Sequence, residues 1–412
     1  MRIWIDATDS RSLLEVFGMT LLERQLRTIF AAGIEPTEVW IELLPDASIP
    51  TLPTELTARC TIRWEQEEGS LQDRLERAVH DAQGEPLIAL EADAVSDARL
   101  LQYVAGQSGS LAACGGEGIN RAAVLRLEGA LRLEGDIDGR LSRLADLSVA
   151  QKTLSPLSLE AIPSYIKKLR RDFPVYLFRV TDPESRDRAE QFLFWSNYKG
   201  STDFFTKYVY PPLVWRVVRP LSRWRVHPNT VTWVSVFATL LAVPLFAWGW
   251  WWAGFLCAYT MSVLDSVDGK LARLTFTSSW FGNILDHGLD IIHPPLWYFG
   301  WAWGLSGGDA NALVFRAAVW MAVIYALDRI VAGVFNRRLG RSIHGYTPLD
   351  ERMRTFISRR NINLPLFLVG WLAGVPVPTF LCIVLWQVAC FIFHVERLVQ
   401  FWRDGKPAAA AV

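Results

Sequence analysis

The hydrophobic pattern of the chain changes character near residue 210. Before that point, short apolar runs alternate with helical periodicities. Arg2-Ile3-Trp4-Ile5 reads as a strand, and Leu21, Leu22, Leu26 and Ile29 recur at helical spacing over Thr20 to Ala32, a helix that Gly33 ends. Glu38 to Glu42 reads as a second strand and Pro86 to Leu90 as a buried one. Strands alternating with helices predict an α/β unit over residues 1–182, with a parallel-type sheet covered on both faces.

Residues 183–227 predict a bridge, polar at first and then amphipathic. From Phe204 to Arg225, Phe205, Tyr208, Val209, Leu213, Val214 and Val217 mix with Lys207, Arg216, Arg219, Arg223 and Arg225. A basic amphipathic helix of this kind lies along an anionic membrane surface, its cations reaching the headgroups. A soluble linker helix is the alternative.

From residue 228 to 402 the chain is membrane-like, since a spanning helix needs roughly 20 mainly apolar residues. Six spans are predicted, near 230–249, 251–267, 283–304, 311–335, 363–376 and 378–399; the fifth is short and the second ends on charged residues. Tryptophans cluster at the ends of apolar runs, as in Trp248, Trp250, Trp251 and Trp252, forming an interfacial belt. Lys270 and Arg273 fall between spans two and three, and Arg337, Arg338, Arg341, Arg352, Arg354, Arg359 and Arg360 between four and five. The intervening loops hold no Lys or Arg. The positive-inside rule then places both termini in the cytoplasm of a multi-pass protein of the cytoplasmic membrane, with 403–412 a short tail.

Composition narrows the classes. Lys and Arg number 42 and Asp and Glu 42, so the formal charge is zero and nucleic acid is not an expected partner. The five cysteines show no metal-ligand spacing and read as reduced packing residues. The start of the chain has no apolar h-region, so no secretory signal is expected.

The chemistry concentrates between spans two and three. Asp265, Asp268, Gly269, Ala272 and Arg273 are followed, after eight residues, by Gly282, Asp286 and Asp290. Four carboxylates beside apolar spans are costly unless neutralised or functional. On helices, Asp265 and Asp268 share a face at i, i+3, and Asp286 and Asp290 at i, i+4. Two facing helices would converge them on one point, and hard oxygen ligands in that number suit Mg²⁺ or Mn²⁺ in a two-metal arrangement. Gly269 and Gly282 admit close approach, and Arg273 offers a permanent bidentate cation for a diphosphate. In outline this is a phosphoryl-transfer site.

At these residues the sequence resembles the class I CDP-alcohol phosphatidyltransferase family, whose pattern D-x2-D-G-x2-A-R-x8-G-x3-D-x3-D is met at every fixed position. The resemblance implies that Asp265, Asp268, Asp286 and Asp290 ligate two metal ions and that Asp290 is also the catalytic base. It implies donor contacts from Gly269, Arg273 and Ser279, and, through Pro228-Asn229-x-x-Thr232, from Asn229 and Thr232. The implied reaction is attack of an acceptor hydroxyl on a CDP-alcohol, releasing CMP. The donor is CDP-diacylglycerol or a soluble CDP-alcohol, the acceptor a polar or phosphorylated alcohol, with membrane lipids and a second copy of the chain as further partners. Arg329, Arg337, Arg338 and Arg360 are candidates for an acceptor phosphate; topology signal and headgroup contact is the other reading.

The N-terminal unit carries a partial resemblance. Glu15 to Arg24, Ala31 to Ile34, and Leu90-Glu91-Ala-Asp93 look like segments of sugar-nucleotide nucleotidyltransferases, the last like their metal-binding strand end. The first loop, Asp6-Ala-Thr-Asp9-Ser-Arg11-Ser, lacks the glycines that let amides approach a triphosphate, so a degenerate domain is expected. The layout, with Asn197 to Asp203 ahead of the amphipathic stretch, resembles fused inositol-phosphate cytidylyltransferase and di-inositol-phosphate-phosphate synthase proteins. Alternatives to a single-activity transferase are a bifunctional cytidylyltransferase/phosphotransferase and a non-enzymatic transporter or lipid-binding protein.

Overall fold

The computed structural model describes residues 1–129, 139–167, 169, 171–198, 200, 202–278, 280–339, 342–345 and 347–403, with the backbone alone at 281, 283–287, 289, 290, 339 and 345. The chain forms two compact units. One comprises Met1–Lys167 and Asp172–Ser196, the other Lys168–Arg171 and Asn197–Val412.

The first unit is built on a seven-stranded sheet. Its strands are β1 (Arg2–Asp6), β2 (Glu38–Glu42), β3 (Thr61–Glu65), β4 (Leu87–Glu91), β5 (Leu111–Gly115), β6 (Ala122–Leu127) and β7 (Ser155–Leu157), in the order β7-β5-β6-β4-β1-β2-β3. β1 pairs in parallel with both β2 and β4, and β6 alone runs antiparallel to its neighbours. Side-chain alternation on β1 explains the two-sided core: Ile3 and Ile5 pack on one face and Trp4 on the other. Helices α1 (Leu21–Ala31) and α3 (Ala98–Ala105) cover the first face, and α2 (Leu71–Asp81) and α4 (Leu141–Ala150) the second. Thr20 caps α1 by accepting from Glu23 N at 3.1 Å, and Gly33, at φ +74°, follows its end.

The bridge expected over 183–227 divides between the units. Its first part is helix α5 (Pro183–Ser196) of the first unit, tied in by Glu190, which accepts from Phe17 N at 3.1 Å. The amphipathic stretch is not one helix. A π-helical turn over Phe205–Val209 precedes α6 (Pro211–Arg223), because Pro211 and Pro212 have no N–H to continue a ladder and occupy the helix start.

The second unit continues with α7 (Pro228–Ala247), α8 (Trp251–Leu274), α9 (Trp280–Ser306), α10 (Leu313–Leu339), α11 (Pro348–Phe356), α12 (Arg360–Leu372) and α13 (Pro376–Arg403). Six of these helices correspond to the six predicted spans. Among the described residues, Pro228–Ala247, Leu313–Arg338 and Pro376–Arg403 are long and apolar enough by themselves to cross a membrane. Helix α8 runs on through the acidic motif, and α12 rises only about 20 Å over its 13 residues. The outer faces are apolar: Trp233, Phe237, Trp320, Ile330, Leu385 and Ile392 are exposed. The interior packs Phe246, Trp297, Trp301, Phe367 and Phe380, with Trp301 stacked on Phe367 at 4.2 Å between centroids.

Candidate active site

Helix α7 lies against both α8 and α9, the two helices that carry the acidic motif. Asp265 and Asp268 occupy adjacent turns of one face of α8. Asp268 is 5% exposed and accepts a hydrogen bond of 2.7 Å from Thr232 Oγ1, in the first turns of α7. That bond joins two residues predicted for different roles, one a metal ligand and the other a donor contact. The Arg273 guanidinium lies over Gly269, where an added Cβ would stand 3.4 Å from Nη1. Glycine thus leaves room for the arginine one turn along. Asn229 is half-buried in the first turn of α7, its amide donating to Nδ1 of the capping residue His227 at 3.2 Å.

Asp265 has a partner that its position in the sequence does not suggest. Arg360 Nη2 donates to Asp265 Oδ2 at 2.7 Å, Nη1 lies 3.0 Å from His293 Nε2, and Nε donates to Asn361 Oδ1 at 3.1 Å. Arg360 was grouped with the loop arginines; it stands instead in the first turn of α12, with its side chain 9% exposed. The other acceptor candidates lie elsewhere. Arg329 pairs with Asp328 at 2.8 Å and stacks over Tyr325, and Arg337 and Arg338 are exposed at the end of α10, Arg338 over Trp402. The four arginines do not form one cluster.

Asp286 and Asp290 fall on one face of the first turns of α9; their side chains, and Ser279, lie outside the described residues. Among the described residues no three His, Cys, Asp or Glu side chains gather closely enough to hold a metal. The donor chemistry of the two described carboxylates, hard oxygens one helical turn apart, fits a divalent ion such as Mg²⁺ or Mn²⁺.

Sequence reasoning missed two further features. Asp203, 5% exposed, caps Thr206 N at 2.9 Å and accepts from Asn361 Nδ2 at 3.2 Å, which binds the segment before α6 to the residue beside Arg360. Asp328 on α10 meets His394 on α13, both buried. A lone acid inside an apolar span was the available signal for the second.

The second unit is thus a helical bundle with an apolar exterior and a half-buried to buried constellation of carboxylates, a hydroxyl and guanidinium groups. Residues 225–402 match the model of the CDP-alcohol phosphatidyltransferase family. A phosphatidylinositol phosphate synthase of Cutibacterium acnes is 29% identical over 117 residues, covering 27% of this chain and 56% of that protein. A bifunctional IPC transferase and DIPP synthase of Thermococcus kodakarensis is 31% identical over 142 residues, covering 29% and 31%. The matched part is thus about half, or less, of the curated relatives' own length. Among solved structures, the Mycobacterium tuberculosis phosphatidylinositol phosphate synthase PgsA1 with CDP-DAG bound is similar at TM-score 0.37 and 18% identity, over 50% of this chain and 98% of that one. A glucose-1-phosphate thymidylyltransferase from Bacillus anthracis is similar at TM-score 0.32 and 8% identity, over 46% and 94%. Scores this low carry no argument about this chain.

Proposed function

We propose that the chain is a membrane CDP-alcohol phosphotransferase that moves a phospho-alcohol group from a CDP-linked donor to an acceptor hydroxyl and releases CMP. The observation that carries the reading is the motif shared by α8 and α9, complete in sequence, in whose α8 half Asp268 is held by Thr232 and Arg273 lies over Gly269. The match of 225–402 to the family supports it.

In this reading Asp265, Asp268, Asp286 and Asp290 hold two Mg²⁺ or Mn²⁺ ions, which when bound supply positive charge against the departing phosphate. Arg273 engages the donor diphosphate, with Gly269, Asn229, Thr232 and Ser279 around the nucleotide. Asp290 takes the proton of the acceptor hydroxyl as its oxygen bonds to the β-phosphorus and the bond to the CMP oxygen breaks. Arg360 acts as a positioning residue for Asp265, and Arg329, Arg337 and Arg338 are the remaining candidates for a phosphorylated acceptor. The donor is CDP-diacylglycerol or a soluble CDP-alcohol, and the site faces the cytoplasm.

The test is CMP release by the purified chain in lipid nanodiscs, across a panel of CDP-alcohols and polar acceptors with Mg²⁺. At least one pair is expected to turn over, and Asp290→Asn to lower the rate by about 100-fold or more, as loss of a general base does. Undiminished CMP release by Asp290→Asn removes the base assignment, and a panel without turnover removes the reading.

A further inference from the structure

The first unit has a cavity of about 410 Å³ that the membrane reaction does not use, lined by Asp6, Thr8, Asp9, Glu91, Arg140 and Arg179 among others. Its place in the sheet is the place where open α/β sheets bind ligands. From β1 the chain moves outward to β2 and β3 on one side, then returns to β4 on the other, so the strand order reverses between β1 and β4. Asp6 ends β1 and Glu91 ends β4. The cavity therefore opens at the carboxyl ends of the two strands that flank the switch point.

A cluster of carboxylates there invites a divalent ion, but a tethered cation already stands among them. Arg179 Nε lies 3.0 Å from both oxygens of Asp93, and Nη2 pairs with Asp93 and sits 3.7 Å from Asp9 Oδ2. Nη1 lies 3.8 Å from Glu91 Oε1, and although the side chain is only 4% exposed, Nη1 makes no hydrogen bond among the described residues. The arginine is fixed from its backbone. The short strand Leu177–Arg179 pairs antiparallel with Ala94–Ser96, and Val180 N donates to Asp93 O at 2.9 Å. A second positive ion in the same carboxylate cluster would meet this guanidinium at close range.

Much of the first loop's amide capacity is already used. The amides of Thr8 and Arg11 donate to the carboxylates of Asp6 and Asp9, and those of Ser12 and Leu14 to carbonyls of the same loop. These four amides are not free to cradle an anion. The charges around the cavity largely offset one another: Arg179 and Arg140 on its wall, and Arg74 3.5 Å from Asp6, oppose four lining carboxylates, of which burial pushes Glu91 up to about 8. A ligand here must bring an acceptor for Arg179 Nη1 and donors for Asp6 and Asp9 within one small space. The hydroxyl is the group that does both.

We propose that this cavity is a metal-independent binding site for an uncharged, hydroxyl-rich small molecule, a polyol or monosaccharide, with Arg179 standing where such a carboxylate cluster would otherwise hold a divalent ion. The unit is a binding module for that ligand and not a metal-dependent nucleotidyltransferase.

The full-length protein in nanodiscs tests this by calorimetric titration with glycerol, myo-inositol, D-glucose and D-mannose in excess EDTA. At least one is expected to bind, and Asp9→Asn, a half-exposed position, to weaken it about tenfold through loss of a charge-assisted hydrogen bond. Bound Mn²⁺, counted by electron paramagnetic resonance, is expected to be the same in wild type and Asp9→Asn, and to rise by about one ion per chain in Arg179→Met, where the guanidinium no longer repels it. Absence of binding by the whole panel, or binding that requires Mg²⁺, overturns the proposal. So does loss of a bound Mn²⁺ in Asp9→Asn, a result that does not depend on Arg179→Met folding. None of these readouts uses CMP release, so the membrane reading stands or falls separately.

Discussion

At the scale of single residues, the two units meet one problem, carboxylates drawn out of water, by related means. Asp93 and Glu91 face Arg179, Asp265 faces Arg360, and Asp268 takes the Thr232 hydroxyl. Glu91 makes the cost measurable. Burial, against the opposing pull of Arg179, pushes its carboxyl from an ordinary 4.5 up to about 8, and it also accepts from Ala123 N at 3.2 Å. The native state therefore binds this proton more tightly than the unfolded chain. The associated stability is fully present below about pH 4.5 and is lost as pH rises through about 8. Glu91→Gln keeps an acceptor for Ala123 and cannot ionise. The protection of β1 and β4 amides, followed by hydrogen exchange and mass spectrometry, is expected to fall between pH 5 and pH 9 in the wild type and to stay nearly level in the variant. The gap at the alkaline end should be on the order of 4 kcal/mol. Parallel curves would remove the burial account. The chemistry of α8 was legible in the sequence because its residues are consecutive turns of one helix. Arg360 was legible only as a charge, since its partner Asp265 lies 95 positions away and nothing local announces the pairing.

At the scale of elements, six helices stand where six apolar runs were predicted, because length and hydropathy are properties of contiguous sequence. Boundaries fared differently where a charge lies inside. The fifth run was expected to begin at 363, after the arginines, yet α12 starts at Arg360, since that side chain turns inward to a carboxylate and not outward to water. The amphipathic stretch was expected to be continuous, and its paired prolines divide it. Helix contacts are a third kind of information, and they rest on small residues. A Cβ at Gly304 of α9 would stand 2.2 Å from the carbonyl oxygen of Phe246 on α7, and one at Gly300 would stand 2.9 Å from that of Val243. These backbones approach more closely than any side chain allows. Gly304→Ala is expected to cost about 1–3 kcal/mol, read as a thermal midpoint several degrees lower in detergent by fluorescence-detected size exclusion. Gly333→Ala on α10, where a Cβ meets nothing within 4 Å, serves as the comparison and should be neutral or slightly stabilising. Equal midpoints for the two variants would show that the α7–α9 approach is softer than the structure has it.

At the scale of the whole molecule, the proposed orientation rests on charge and not on any single helix. The turn between α9 and α10 holds Gly307, Gly308 and Asp309, and the turn between α12 and α13 holds Gly374 and Val375, neither with a basic residue. The segment from the end of α10 to the start of α12 carries Arg337, Arg338, Arg352, Arg354 and Arg359, and the end of α8 carries Lys270 and Arg273. Moving the basic side outward would carry those cations across the membrane against both the insertion bias and the anionic inner leaflet. The carboxylates of α8 sit at that same basic end, so the orientation also decides which compartment supplies a nucleotide-linked substrate. Single cysteines in a cysteine-free background separate the two orientations. With intact cells, Gly308→Cys is expected to react with a membrane-impermeant maleimide, whereas Arg352→Cys should react only after permeabilisation. The opposite pattern would put the acidic motif outside the cell, away from a cytoplasmic CDP-alcohol pool, and would remove the proposed reaction along with the topology.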